Sequence, residues 1–175
     1  TFNGVERPNL DKFIVPTTWR EIGAGFSGNV PAASFNYQAY IVNGPLGYNN
    51  DGALFRGTDG IRGGRQKGAK STFSGSPNIS LKVNYYGFRG LTVGLSGYYG
   101  KSQSTLYSGL DQANDFALAQ ADSSVVGISM LGVDARYRLK GLQLRGQYIF
   151  ANISNTEQYN TFTGSDLGSQ MNGYF

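Results

Sequence analysis

The chain has 175 residues and a net charge of +4, enough for one domain spanning 1–175. It has no cysteine and no histidine, which removes disulfides, thiolate chemistry, the commonest metal ligand and every Ser-His or Cys-His pair. Glycine (26 residues) is at about twice its usual ~7% share, aromatics reach 14%, and charged residues are only 15% against about 25% in ordinary soluble domains.

No segment approaches the ~18 consecutive apolar residues of a membrane helix. Mean hydropathy is slightly polar, but strands that cross a membrane alternate apolar and polar residues and leave no such run. Period-two alternation is widespread here, and helical periodicity is nearly absent.

In chain order, "RPNLDKFIVPTTWRE" is expected to be a loop, with Pro8 and Pro16 as breakers and Trp19 where the first strand meets a membrane interface. A strand is predicted over 20–28, with Ile22, Ala24 and Phe26 on its apolar face. About five residues, "NVPAA", lead to "SFNYQAYIVN", where Phe35, Tyr37, Ala39 and Ile41 share a face. A long connection, roughly 44–77, follows. Alternation then predicts strands over 78–88 and 91–101. In the first, Ile79, Leu81, Val83 and Tyr85 lie opposite Ser80, Lys82, Asn84 and Tyr86. Each run is as long as a tilted membrane strand, ~9–11 residues. Another long connection covers about 102–123. "SVVGISM" is apolar on both faces. Beyond it, Leu131 to Leu139 and Leu142 to Phe150 alternate. A third long connection, about 155–171, precedes "NGYF", which begins a further strand.

Arg89-Gly90 and Lys140-Gly141 each form a two-residue link. Short and long connections therefore alternate, with tight ends on one side and elaborate ends on the other. Outer-membrane barrels have this layout, and compact soluble domains rarely hold several loops beyond ~12–15 residues. Tyr85, Phe88, Tyr98, Tyr99, Tyr148 and Phe150 fit the aromatic girdles of such barrels. The expected fold is all-β: an antiparallel up-and-down transmembrane β-barrel, partial, with about six to seven strands of a larger barrel. The alternative is a soluble or surface-exposed β-sandwich that recognises glycans through its long loops.

"VERPNLDKFIVPTTWREIGAGFSG" (5–28) and "GIRGGRQKGAKS" (60–71) resemble segments of outer-membrane porins of the phosphate-selective porin O and P type. The resemblance implies a barrel of sixteen or more strands, with a water-filled pore lined by basic residues that passes small anions. Six strands and the start of a seventh fall short of the smallest single-chain barrels, about eight strands. The chain is therefore expected to be an internal fragment, with Phe175 an interior strand residue.

Candidate solute-contacting residues fall in two groups. The basic stretch "FRGTDGIRGGRQKGAK" contains Arg62, Arg65 and Lys67, and a Gly-rich loop that folds inward would make a positive constriction. On the strands, Lys82, Arg136 and Arg145 share the phase opposite the apolar residues, which in a barrel is the lumen. Asp134 is expected to pair with Arg136 or with a neighbour across the strand. "GYYGKS" lacks the first glycine of a P-loop, since Leu95 stands there, and no helix follows. The "NIS" sequons at 78–80 and 152–154 match a pattern that occurs often by chance and matters only in a suitable secretory system. Asp111, Asn114, Asp115 and Asp122 fit no Ca²⁺-loop spacing. The functional expectation is a non-enzymatic porin of the bacterial outer membrane. It needs no cofactor and binds no nucleic acid. Its partners would be outer-membrane lipid and small anions such as phosphate, and it could form a homotrimer.

Overall fold

The computed structural model describes Ile14 and residues 19–66, 77–111 and 113–175. Seven strands form one antiparallel meander in which every neighbour in sequence is a neighbour in space, save for loop strands set apart. They are β1 (Gly23–Val30), β2 (Phe35–Val42), β5 (Asn78–Phe88), β6 (Leu91–Lys101), β8 (Gly127–Leu139), β9 (Leu142–Ser154) and β10 (Gln170–Tyr174). The loop strands β3 (Leu46–Asn49), β4 (Gly52–Ala53) and β7 (Gln103–Ser104) make a small second sheet. The fold is thus all-β and antiparallel in its main sheet. The sheet is open: one edge of β1 and one edge of β10 have no strand partner among the described residues.

The strands at 78–88 and 91–101 occupy the ranges that alternation predicts. The later pair is longer, 13 residues each. Two helices that the periodicity does not signal, α1 (Asp115–Ser123) and α2 (Thr156–Thr163), sit in the long connections. Each is short; the Asn114 side chain accepts from the Ala117 amide at 3.1 Å to start α1, whereas α2 has no side-chain N-cap and ends on Gly164 at positive φ. Neither is long and apolar enough to cross a membrane.

The faces of the sheet are inverted relative to a protein that folds its core against water. Leu81, Leu95, Leu131 and Leu144 lie on one face and are 49%, 54%, 53% and 56% exposed. Ile41, Ile79, Val83 and Val133 extend the same bare apolar surface. On the opposite face Ser80, Lys82, Asn84 and Ser96 are half-buried, and Gly94 is buried. Leaving one such aliphatic side chain in water forfeits about 1.5–3 kcal/mol of burial, so this face is built for an apolar surrounding or an apolar partner.

The buried core lies at the long-loop end, on the polar-phase side. Phe55, Ile61, Val126, Ile128, Ile153 and Tyr159 form one cluster. Ile128 and Ile153 are cross-strand partners of β8 and β9, whereas Phe55 and Ile61 come from the 43–66 connection. The connection therefore folds over the inner end of the sheet. Tyr159 of α2 fastens it: its hydroxyl donates to the Gly47 carbonyl at 2.6 Å and accepts from the Phe55 amide at 3.3 Å. This packing explains why "SVVGISM" is apolar on both faces: Val126 and Ile128 meet the folded loop instead of an open lumen.

The two short links are not alike. Lys140 and Gly141 both have positive φ, 47° and 86°, the signature of a type I′ hairpin turn. At Arg89-Gly90 only Gly90 is positive, at 79°. The register also shifts between Tyr85 and Phe88, so a bulge supplies the twist there. Two positional expectations also change. Trp19 lies on the polar-phase side, packed edge-on to Tyr98 with ring centroids 6.0 Å apart. Tyr98 itself is turned to that side and is held by Asn78 and Glu21. Neither belongs to an outward aromatic belt, whereas Tyr85, Phe88, Tyr99 and Tyr148 are exposed on the apolar face.

A non-glycine residue at positive φ costs roughly 1–2 kcal/mol. Lys140→Gly should therefore raise the unfolding free energy of detergent-folded protein, read by denaturant titration, by up to about 1 kcal/mol. Gly141→Ala should lower it by about 1–2 kcal/mol. Equal midpoints for wild type and Gly141→Ala would exclude the type I′ turn.

Candidate functional site

The polar-phase face is hollow, and its side chains fall into two adjoining concavities. The lower one, nearer the short links, has a volume of about 200 Å³; Lys82, Asp134, Arg136, Arg145, Gln147 and Phe175 contribute to its walls. Register places these groups together. Arg136 of β8 is directly opposite Arg145 of β9, and Asp134 is opposite Gln147. Like charges directly opposite each other are unfavourable, so this pair raises the local positive potential. Arg136 is exposed, and its side chain has no hydrogen-bond or ion-pair partner among the described residues.

Asp134 does not pair with Arg136. Its Oδ2 accepts from Lys82 Nζ at 2.9 Å. Lys82 is on β5 and Asp134 on β8, with β6 between them. Gly94 of β6 makes the reach possible. It is paired with both Asn84 and Asp134, and a Cβ added there would collide with Asp134 Oδ2 and meet Asn84 Oδ1 at 2.7 Å. The missing side chain is the lane through which the carboxylate crosses. Farther toward β1 the same face is uncharged: Asn84 donates to Asn36 at 2.8 Å, and Tyr86 donates to Asn29 at 2.6 Å.

The upper concavity, of about 360 Å³, lies toward the long loops. Trp19 and Tyr98 give aromatic walls, Met130 and Ile149 apolar ones, and Glu21, Gln38 and Lys82 polar ones. Glu21 Oε1 accepts from the Trp19 indole at 2.9 Å and from the Tyr98 hydroxyl at 2.8 Å. Burial raises the Glu21 carboxyl above its ordinary range, and these two hydrogen bonds offset only part of that. No signal in the sequence singled out Glu21 or Gln38. Each is a lone polar residue whose role depends on a neighbour from another strand.

The sequence-predicted residues are thus only partly gathered. Lys82, Arg136 and Arg145 share one concavity. Arg62 and Arg65 lie elsewhere, in a single 3-10 turn over Ile61–Gly64 and the residue that ends it. Arg62 forms an ion pair with Asp59, and Arg65 Nε donates to the Arg62 carbonyl at 2.9 Å. Lys67 lies outside the described residues. Among the described residues no group of three or more acidic side chains could hold a metal ion.

Two substitutions test this wiring. Gly94→Ala should break the Lys82–Asp134 pair and destabilise the sheet by about 1–3 kcal/mol through overpacking; a variant as stable as wild type would exclude the lane. Glu21→Gln keeps the Oε1 acceptor and removes the buried charge. Because the folded carboxyl titrates above its unfolded value, wild type loses stability as pH rises through the raised pKa. Glu21→Gln should therefore have the higher midpoint at pH 7, and the two proteins should converge below pH 4. A midpoint lower than wild type at pH 7 would contradict the burial of that charge.

No family model matches the chain, and no solved structure matches it. Over 96 residues it is 35% identical to a protein of Aquifex aeolicus (strain VF5) described as an uncharacterized protein. That stretch is 55% of this chain and 21% of the relative, so the match spans about a fifth of the length of the curated relative.

Proposed function

We propose that this chain is a sector of an outer-membrane β-barrel wall, and that the barrel is a water-filled diffusion channel for small solutes with a preference for anions such as phosphate. One observation carries the reading: the main sheet exposes a continuous field of large aliphatic side chains while its polar and charged side chains line a sheltered hollow. A lipid-facing wall needs this order, because hydrocarbon surrounds the outside and water fills the inside. A β-sandwich would need a second sheet on the apolar face. The small sheet of β3, β4 and β7 packs instead on the other side, through Ala53 and through Phe55, which follows β4. The open edges at β1 and β10 are where further strands would join.

Within this reading Arg136, Arg145 and Lys82 supply the positive wall, and solutes move down their gradient with no bond made or broken. Weak successive contacts suit conduction, since one tight site would stop flow. The 43–66 connection would narrow the mouth. Its Arg62 charge is partly cancelled by Asp59.

The test is single-channel recording in a planar bilayer under a salt gradient. Stable steps with an anion-selective reversal potential are expected. Arg136→Gln with Arg145→Gln should lower the anion preference several-fold, and Arg62→Gln with Arg65→Gln should lower it less. Cation-selective steps would remove the assigned role of the basic residues. A protein that stays monodisperse without detergent would remove the barrel. Leu131→Arg adds an independent check. At mid-membrane it should cost ~2–4 kcal/mol of folding stability in lipid; on a face in water it would cost almost nothing.

A further inference from the structure

The upper concavity gathers several polar groups that are unpartnered among the described residues. Glu21 Oε2, the Gln38 amide, the Tyr40 hydroxyl and the Ser80 hydroxyl have no hydrogen-bond partner among the described residues. They come from three places in the chain, the approach to β1, β2 and β5, and converge on one space of about 360 Å³ beside the Trp19–Tyr98 pair. That volume is within the range of small-molecule sites, ~300–1,000 Å³. Aromatic faces with clustered acid, amide and hydroxyl groups suit the apolar ring face and the hydroxyls of a polyol. Lys82 in the same wall disfavours a cation.

Lys82 also belongs to the lower, basic concavity. The two spaces therefore adjoin along the sheet, with Lys82 as their shared wall residue. Met130 and Gly132 line the upper one, while Asp134 and Arg136 line the lower one. Four residues along a strand span about 13 Å at ~3.3 Å each, and long Lys and Arg side chains shorten that gap. We infer that the two concavities form one binding groove for a hydroxyl-rich solute with an anionic group, of the sugar phosphate class. The sugar would lie against Trp19, Gln38 and Glu21, with its phosphate on Arg136 and sharing Lys82 with Asp134, which pairs with that ammonium at 2.9 Å. This deepens the channel reading by naming a solute, and it rests on that reading only for placing the groove along a permeation path.

Trp19 is the single tryptophan of these 175 residues, so its emission reports the upper concavity directly. In detergent-folded protein, glucose 6-phosphate should perturb that emission at concentrations at least ten-fold lower than glucose or inorganic phosphate. Gln38→Ala should bring its affinity toward that of phosphate, and Arg136→Gln toward that of glucose. Trp19→Phe should remove the signal while calorimetry still detects binding. Equal affinity for phosphate and glucose 6-phosphate, an unchanged affinity in Gln38→Ala, or neither emission change nor heat would overturn the groove. Conductance without binding would leave the channel and remove the groove. Binding without conductance would keep the groove and remove the channel.

Discussion

A pleated strand sends successive side chains to opposite faces, and hydrogen bonding to neighbours on both sides fixes that choice for the whole sheet. In this chain the constraint determines which chemistry each face can hold. A slip of one residue in β5 would put Lys82 among the leucines and Leu81 in the hollow. The register Lys82↔Ser96 and Ser96↔Gly132 keeps the charged row and the aliphatic row apart across three strands. The two concavities, the bare apolar field and the loop packing all depend on that phase.

The second constraint is the asymmetry of the connections. Tight turns bring β5 to β6 and β8 to β9 with no residues to spare, so the end nearest them has no room for a core. The opposite end receives every long connection, and the largest buried cluster among the described residues forms there. Tyr159 shows how the end is organised: one side chain on α2 holds both the Gly47 carbonyl and the Phe55 amide. Loops from distant parts of the chain thereby become one layer over the inner end of the sheet.

Much of this was legible in the sequence because alternation is a local property. Residues 78–101 announce two strands, a turn and both faces without help from the rest of the chain. What resisted reading was non-local. Trp19 looked like an interface residue because its type favours that place; its position comes from Glu21 and Tyr98, 77 residues apart in the chain. The 3-10 turn at Ile61–Gly64 and helices α1 and α2 lack a strong apolar period, since each buries only one or two residues. Nothing local chooses for Asp134 between Arg136 and a neighbour across the strand; a glycine on the strand between directs it to Lys82, two strands away. Among the basic residues the phase gathered Lys82, Arg136 and Arg145, whereas the charge density of 56–70 gave no information about direction.

The Lys82–Asp134 pair has a mechanical meaning as well. Strands β5 and β8 are separated by β6, so in a flat sheet their axes would stand about 10 Å apart. Side chains that rise from the two outer strands meet more easily when the sheet bends toward them. The ion pair thus acts as a tie across the hollow: flattening lengthens it, and tightening the bend drives the carboxylate into the space above Gly94. A single electrostatic contact, placed over a residue with no side chain, thus joins two strands that share no backbone hydrogen bond.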